Sequence, residues 1–151
     1  MFKTIIKASE NFCIHQIREA YQIREAYQID EAYQIDKKLI ITYIDIDSNN
    51  DKKYRIYLAS DTQFMQKISK IFLGEDSSDE ETLIDMTLET ANLVIGSAKV
   101  LAEEANKNLF TIKTPHFIKI DQFDLAYEEL KIINIKNDKM LLAIKELDDK
   151  S

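Results

Sequence analysis

A single long helical segment separates two groups of β-rich segments in this chain, and that order leaves few possible architectures. Ser78 followed by Glu81 has the spacing of a helix capping box, and the helix that it opens is predicted to run to about Asn106. Strands and long helices segregated along a chain favour an α+β fold. We therefore predict two layers, with long helices packed on one face of a largely antiparallel sheet.

The remaining elements are predicted from composition and turn signals. Before the long helix, "KKLIITYIDID" and "KKYRIYLAS" flank the polar turn "SNND" and predict a hairpin. A short helix follows, with Ser60 and Gln63 at capping-box spacing, Gly74 as its end, and apolar positions at Phe64, Ile68, Ile71 and Phe72. After the long helix, "LFTIKT" and "HFIKI" predict strands, and "ELKIINI" with "KMLLAIKEL" predicts a second hairpin around "KNDK".

Length and charge limit the classes of protein that fit. With 151 residues and no break in composition, residues 1–151 are expected to form a single domain. The net charge of -7 disfavours a nucleic-acid partner, which requires clustered cations. The apolar runs are far shorter than a membrane span, and no signal peptide is recognisable, so we expect a cytoplasmic protein without a membrane partner. A single cysteine, Cys13, agrees with a reducing compartment.

A hexapeptide, Gln-Ile-Arg/Asp-Glu-Ala-Tyr, repeats between about residues 16 and 36. On a helix, a period of six turns successive copies about 120° apart, so no continuous apolar stripe forms. A strand would keep the tyrosines and isoleucines on one face, but the composition is typical of helices and one strand of this length would be unusual. We interpret the repeat as a helix extension or surface arm. An arm that binds a partner through its tyrosines is the alternative.

The segment before the repeat has a helical pattern. One face is predicted to carry Phe2, Ile5, Ile6, Ser9, Phe12, Cys13, Ile17 and Ala20. A cysteine on such a face is more often a small core residue than a reactive thiol.

Several common kinds of site are disfavoured. The chain has no GxxxxGK[ST], GxGxxG or GxSxG pattern, and its two histidines, His15 and His116, have no second Cys or His at ligand spacing. Neither a zinc site nor a conventional metal- or nucleophile-dependent hydrolase is therefore expected.

The long helix carries three polar residues on one side. Asp85, Glu89 and Asn92 lie at i, i+4 and i+7, within about 60° of one another around the helix axis. An adjoining face suited to burial carries Ile84, Leu88, Ala91, Ile95 and Ala98. Taken alone, such a polar face is common on surface helices and would be interpreted as solvated.

The longer pattern is more specific. Asp85, Glu89, Asn92 and Pro115, the only proline, follow the spacing D/S-x3-E-x2-N-x22-P, which resembles the signature of the CheC, CheX and FliY family of bacterial chemotaxis phosphatases. "ETANLVIGSAK" is similar to the family's E-x-x-N-x-x-x-G-N/S-A, and "KTP" to its Ser/Thr-Thr-Pro. The resemblance extends loosely from about Lys37 to Leu147 and leaves out the repeat. One departure is Leu88, where relatives usually have glycine.

The resemblance implies a fold, a partner and an activity. A single copy of the motif matches the CheX kind, whose members are typically dimers joined through sheet edges. The family hydrolyses the phospho-aspartate of CheY-type response regulators in flagellar chemotaxis. The implied partners are thus a phosphorylated regulator and a second copy of the chain. No cofactor is expected on this chain, because the regulator supplies its own Mg²⁺.

The resemblance also implies roles for individual residues. Asn92 would orient the attacking water and Glu89 would hold a lysine of the regulator, which makes these two the catalytic pair. Asp85 would be a peripheral docking contact. Gly96 would permit close approach of the regulator, although helix packing would also explain a glycine there. Pro115 would set where a strand begins.

A function of another class is the alternative to catalysis. A non-catalytic adaptor could use the same helix face to bind a response regulator or a flagellar switch component. Retention of both Glu89 and Asn92 favours catalysis.

Overall fold

The structure is a computed structural model that describes residues 2–21, 28–30, 37–49, 51–105, 109–135 and 138–147. The helices within these ranges are α1 (Phe2–Tyr21), α2 (Thr62–Leu73) and α3 (Glu80–Glu104). The strands are β1 (Gln28–Asp30), β2 (Leu39–Ser48), β3 (Lys53–Ser60), β4 (Phe110–Ile112), β5 (His116–Asp121), β6 (Glu129–Ile135) and β7 (Asp138–Leu147).

The strands form one antiparallel sheet in the order β1-β6-β7-β3-β2-β4, and β5 also pairs with β2. Both predicted hairpins are present: β2 pairs with β3 from Ile40↔Ser60 onward, and β6 pairs with β7. Strands β4 and β5 share the outer edge of β2, β4 beside its end and β5 beside its beginning. The predicted α+β class is confirmed.

The helices pack on one face of this sheet because alternate residues of each strand point to opposite faces. On β2, Ile40, Ile44 and Ile46 face the helices and are fully buried, whereas Leu39 and Ile41 face the other side. The helix layer contributes to the same core residues from all three helices, among them Phe2, Ile5, Phe64, Met65, Ile68, Val94, Ile95 and Ala98. Burial of these apolar side chains holds the two layers together.

The other face of the sheet is also covered, which the sequence did not indicate. Its apolar residues are Leu39, Ile41, Tyr57, Ala59, Leu130, Ile132, Leu141 and Ala143. Phe123 and Leu125, from the connection between β5 and β6, pack against them, and the rings of Phe123 and Tyr57 meet edge to face at 5.4 Å. The connection between β5 and β6 therefore covers the face of the sheet that carries no helices.

Both predicted helix N-caps are wrong by one residue. The cap of α2 is Asp61, whose carboxylate accepts the Phe64 N–H at 2.8 Å, and not Ser60. The cap of α3 is Asp79, which accepts the Thr82 N–H at 2.8 Å, and not Ser78. In each case a serine precedes an aspartate, and both residue types are good caps, so the pattern alone does not choose between them.

Of the repeat, the structure describes residues 16–21 and 28–30, and the prediction for residues 22–27 and 31–36 lies outside the described residues. Helix α1 continues to Tyr21, so the helix-extension interpretation holds for the beginning of the repeat. It is wrong for Gln28–Asp30, which form an edge strand paired with β6 in the register Ile29↔Ile133. On α1, Phe2, Ile5 and Ser9 are buried as predicted, together with Ala8. The side chain of Cys13 lies outside the described part of the molecule.

Candidate functional site

Helix α3 presents a broad buried face to the rest of the molecule. The buried residues are Leu83, Met86, Thr87, Thr90, Ala91, Val94, Ile95, Ala98 and Ala102. The two threonine hydroxyls are satisfied within the helix, because Thr87 Oγ1 donates to the Leu83 carbonyl at 2.7 Å and Thr90 Oγ1 donates to the Met86 carbonyl at 2.8 Å. Because one face of α3 is buried, the opposite face of the helix must point to solvent.

That burial differs in part from the predicted apolar face. Ala91, Ile95 and Ala98 are buried as predicted, Ile84 is partly buried against the core, and Leu88 is only half-buried. Leu88 thus lies at the border between the buried face and the exposed one.

The structure brings Asp85, Glu89 and Asn92 together on the exposed side of α3. The helical rise of 1.5 Å per residue separates Asp85 from Asn92 by about 10 Å along the axis. Within the described residues, no cation lies within 4.0 Å of the Asp85 or Glu89 carboxylate, and no hydrogen-bond partner is found for the Asn92 amide. All three groups are therefore open to a molecule that approaches this side.

The chemistry of the three groups differs. An amide offers both a donor and an acceptor without charge, so Asn92 can hydrogen-bond a water and a phosphoryl oxygen at the same time. A carboxylate is an acceptor only, and Glu89 is suited to a lysine or arginine. Because these side chains extend from a helix that is anchored along one face, the spacing and direction of their Cα–Cβ bonds are set before a partner arrives.

Gly96 lies one turn after Asn92 and is half-buried. A Cβ built on Gly96 would meet no described atom within 4 Å, apart from its own helix and chain neighbours. Packing against another described part of the chain therefore does not require a glycine here. Because Gly96 has no side chain, the backbone of α3 is accessible at this position.

Pro115 is the residue immediately before β5. It lies where the edge of β2 changes partner, between the pairing of Ile46 with Ile112 and that of Tyr43 with His116. Because proline has no N–H, it can occupy this interruption of the ladder without leaving a donor unpaired. Pro115 follows the end of α3 by 11 residues and is placed by the sheet.

A groove beside the three polar residues was missed by the sequence analysis. It is a cavity of about 470 Å³ between the end of α2 and the first half of α3, lined by Phe72, Leu73, Thr82, Asp85, Met86 and Glu89. The sequence predicts Phe72 as one of the apolar positions of α2, but its side chain is 40% exposed. The signal was two adjacent large apolar residues before Gly74, since a helix can bury only one of such a pair on a narrow face.

No metal site or membrane span emerges in the residues that the structure describes. No group of three or more His, Cys, Asp or Glu side chains there could hold a metal ion. His116 stacks on Tyr43 with ring centroids 5.1 Å apart, away from α3. None of the described helices has the length and apolar character that crossing a bilayer requires.

The sequence around these residues matches the model of a known protein family. The family model described as "Chemotaxis phosphatase CheX" matches residues 42–137, which is more than half of the chain and includes Asp85, Glu89, Asn92, Gly96 and Pro115. No curated protein sequence is similar enough to count as a match.

Several solved structures share the fold. The chemotaxis protein CheX from Vibrio vulnificus superposes with a TM-score of 0.70 at 15% identity, covering 95% of this chain and 99% of that one. A chemotactic CheC-like protein from Shewanella oneidensis MR-1 gives 0.71 at 14% identity, covering 96% and 100%. The CheX of the CheX-CheY-BeF3-Mg²⁺ complex from Borrelia burgdorferi gives 0.65 at 14% identity, covering 95% and 97%.

Proposed function

The chain belongs to the CheX family of chemotaxis phosphatases, and from this premise we propose that it hydrolyses the phospho-aspartate of a CheY-type response regulator. The observation that carries the proposal is the exposure of Glu89 and Asn92, one turn apart on α3, inside the region that the family model matches. The solved complex of a Borrelia burgdorferi CheX with CheY supports the kind of partner.

The reaction needs little from the phosphatase besides position. The oxygen of the water bonds to the phosphorus, and the bond between the phosphorus and the aspartyl oxygen breaks. The products are the free aspartate carboxylate and inorganic phosphate, and a proton of the attacking water passes to the phosphate or to the solvent. An acyl phosphate already has a good leaving group, so most of the barrier is removed by holding the water in line. The regulator's Mg²⁺ neutralises phosphoryl charge, and this chain is not required to bind it.

In this proposal Asn92 positions the water. Its carbonyl oxygen accepts a hydrogen bond from the water while its NH₂ donates to a phosphoryl oxygen, and an uncharged group avoids repulsion from the phosphoryl group. An aspartate at the same place would repel the phosphoryl oxygens. The amide of Asn92 is exposed and has no hydrogen-bond partner among the described residues, so it is free to enter the regulator's active site.

Glu89 fixes the register of docking by pairing with a lysine of the regulator, and Asp85, one turn earlier, adds a peripheral contact. Gly96 lets the regulator approach the α3 backbone closely, because no side chain stands above the helix there. Pro115 acts through the sheet and touches neither the phosphoryl group nor the water. A homodimer joined through sheet edges remains a proposal drawn from the family.

The test is the decay of a phosphorylated CheY-type regulator from the same organism, in Mg²⁺, with catalytic amounts of the protein. We expect the wild type to accelerate decay and Asn92→Ala to lower the rate constant by about 10²–10³-fold, the usual loss for one positioned hydrogen-bond group. Gln63→Ala is the matched control, because Gln63 is also an exposed helical amide. It should behave as the wild type.

Two outcomes would contradict the proposal. Equal rates for the wild type and Asn92→Ala would remove Asn92 from the mechanism. Binding of the regulator without any acceleration of its decay would identify the chain as an adaptor that uses the α3 face for docking alone.

A further inference from the structure

The groove between α2 and α3 has an apolar floor and an open entrance. Met86 forms part of the floor and is 5% exposed, whereas Phe72 and Leu73 on the α2 side are 40% and 51% exposed. Because both side chains line the same groove, they form an apolar patch rather than scattered exposed residues, and apolar patches are the surfaces at which partners dock. The volume of about 470 Å³ is sufficient for one or two protein side chains.

The opposite wall of the groove is acidic. Asp85 and Glu89 line it, and neither has an ion-pair partner among the described residues. Glu80 and Glu81 add exposed carboxylates in the first turn of α3. An occupant that matches this wall must bring positive charge next to its apolar part.

The groove is continuous with the face that carries the proposed reaction, since Glu89 belongs to both. A standard protein interface covers about 800 Å² on each partner, equivalent to a disc about 16 Å in radius. Asp85 lies only about 10 Å along the helix from Asn92. A regulator domain centred over Asn92 therefore also covers the groove.

We propose that the groove receives an apolar side chain of the response regulator that is flanked by a lysine or arginine. The apolar side chain packs between Leu73, Phe72 and Met86, and the cation pairs with Asp85. This inference rests on the proposed function and extends it: Glu89 and Asn92 serve the phosphoryl site, which all regulators of this class share, whereas the groove selects among regulators by a side chain outside that site. Apolar side chains that become fully buried at an interface contribute much of its affinity.

The experiment compares Leu73→Gln with Val100→Gln. Val100 is a matched control because it is 51% exposed, as Leu73 is, and lies on α3 outside the groove. We expect Leu73→Gln to raise KM for the phosphorylated regulator about tenfold and to leave kcat unchanged, since a tenfold change corresponds to the loss of one good apolar contact. Val100→Gln should leave both parameters within about twofold of the wild type.

The dissociation constant for the regulator, measured with the same three proteins, separates failure of this inference from failure of the proposed function. An unchanged KM and affinity in Leu73→Gln, or an equal loss in Val100→Gln, would overturn the groove as a docking site while leaving the phosphatase proposal intact. Wild-type binding without hydrolysis would overturn the phosphatase proposal alone, and a tenfold weaker affinity of Leu73→Gln would then still support the groove. No binding of any regulator by the wild type would overturn both.

The charged part of the proposal has its own measurement. We expect Asp85→Asn to weaken affinity and to reduce the dependence of affinity on salt, because one attractive charge is removed. An unchanged salt dependence would show that no cation of the regulator lies against Asp85.

Discussion

Asp61 connects the start of α2 to the start of β7, and its replacement by alanine is expected to destabilise the protein strongly. The residue is 4% exposed, and its carboxylate accepts the Phe64 N–H at 2.8 Å and the Lys139 N–H at 2.6 Å. Its own N–H donates to the Lys139 carbonyl at 3.1 Å. Lys37 adds an ion pair at 3.4 Å from a side chain that is 42% exposed.

The size of the stability loss follows from two backbone N–H groups, those of Phe64 and Lys139, which lose their acceptor. Loss of a helix N-cap costs about 1 kcal/mol, and leaving a second, part-buried N–H without a partner costs about 1–3 kcal/mol. The ion pair adds little because Lys37 stays in contact with solvent. We therefore expect Asp61→Ala to lower the free energy of unfolding by about 3 kcal/mol, or Tm by about 10 °C for a chain of this size.

Urea denaturation followed by circular dichroism would measure this loss, with Asp79→Ala as the control. Asp79 caps α3 in the same way, but its side chain is exposed and its hydrogen bonds come from Thr82, within the same helix, so its replacement should cost clearly less. Equal losses for the two variants would refute the argument that burial and the second N–H make the Asp61 cap stronger.

Four further expectations concern other parts of the molecule. Gly96→Ala should raise Tm by about 1–3 °C, because the Cβ meets no described neighbour, while KM for the regulator should increase. Gly74→Ala should cost about 1 kcal/mol, since Gly74 has a φ of 72°. Deleting residues 22–34 should leave regulator hydrolysis largely intact but promote aggregation, because it exposes the β6 edge that β1 pairs. Hydrogen bonds from Thr82 hold the pKa of Asp79 below its ordinary value of 3.8. The stability that the ionised carboxylate adds is therefore present above pH 3.8 and is lost as the pH falls from there through the lowered pKa. Because asparagine does not titrate, Asp79→Asn should lose less stability than the wild type as the pH falls through this range.

Each has a clear contrary result. Thermal unfolding of Gly96→Ala below the wild-type Tm would indicate a close neighbour at that position, and an unchanged KM would remove Gly96 from the docking surface. A Gly74→Ala variant as stable as the wild type would contradict the cost of the left-handed conformation. Loss of hydrolysis in a folded deletion variant would assign the repeat a role in the reaction. If the free energy of unfolding falls equally with decreasing pH in the wild type and in Asp79→Asn, the pKa argument is contradicted.

Periodicity and turn chemistry were sufficient for most of the fold. The two hairpins, the order of elements and the end of α2 at Gly74 could be predicted because alternation, polar turns and a left-handed glycine are local properties. The exposure of Glu89 and Asn92 was likewise predictable from helical geometry, since both lie opposite the positions that became buried.

The parts that could not be predicted depend on contacts between distant segments. Phe72 has the pattern of a core residue, yet its exposure is decided by where α3 crosses α2, which no local pattern contains. Phe123 and Leu125 cover the second face of the sheet only because the chain between β5 and β6 crosses it. The choice of Asp61 over Ser60 as a cap reflects its bond to Lys139, a residue 78 positions away.

The strand that the repeat contributes has a consequence for how this protein varies between genomes. The triplet Gln-Ile-Asp forms β1 at residues 28–30 and occurs again at residues 34–36, where the next copy of the six-residue unit begins. Loss of one unit by slippage during replication removes a whole number of codons. When the unit lost precedes residue 28, it leaves Gln28–Asp30 and residues 31–38 unchanged, and the latter must span the four strand spacings, about 19 Å, between β1 and β2. An even period also keeps the alternation of faces unchanged. The segment that precedes β1 is therefore expected to change length in steps of one unit across strains, while the edge of β6 stays paired.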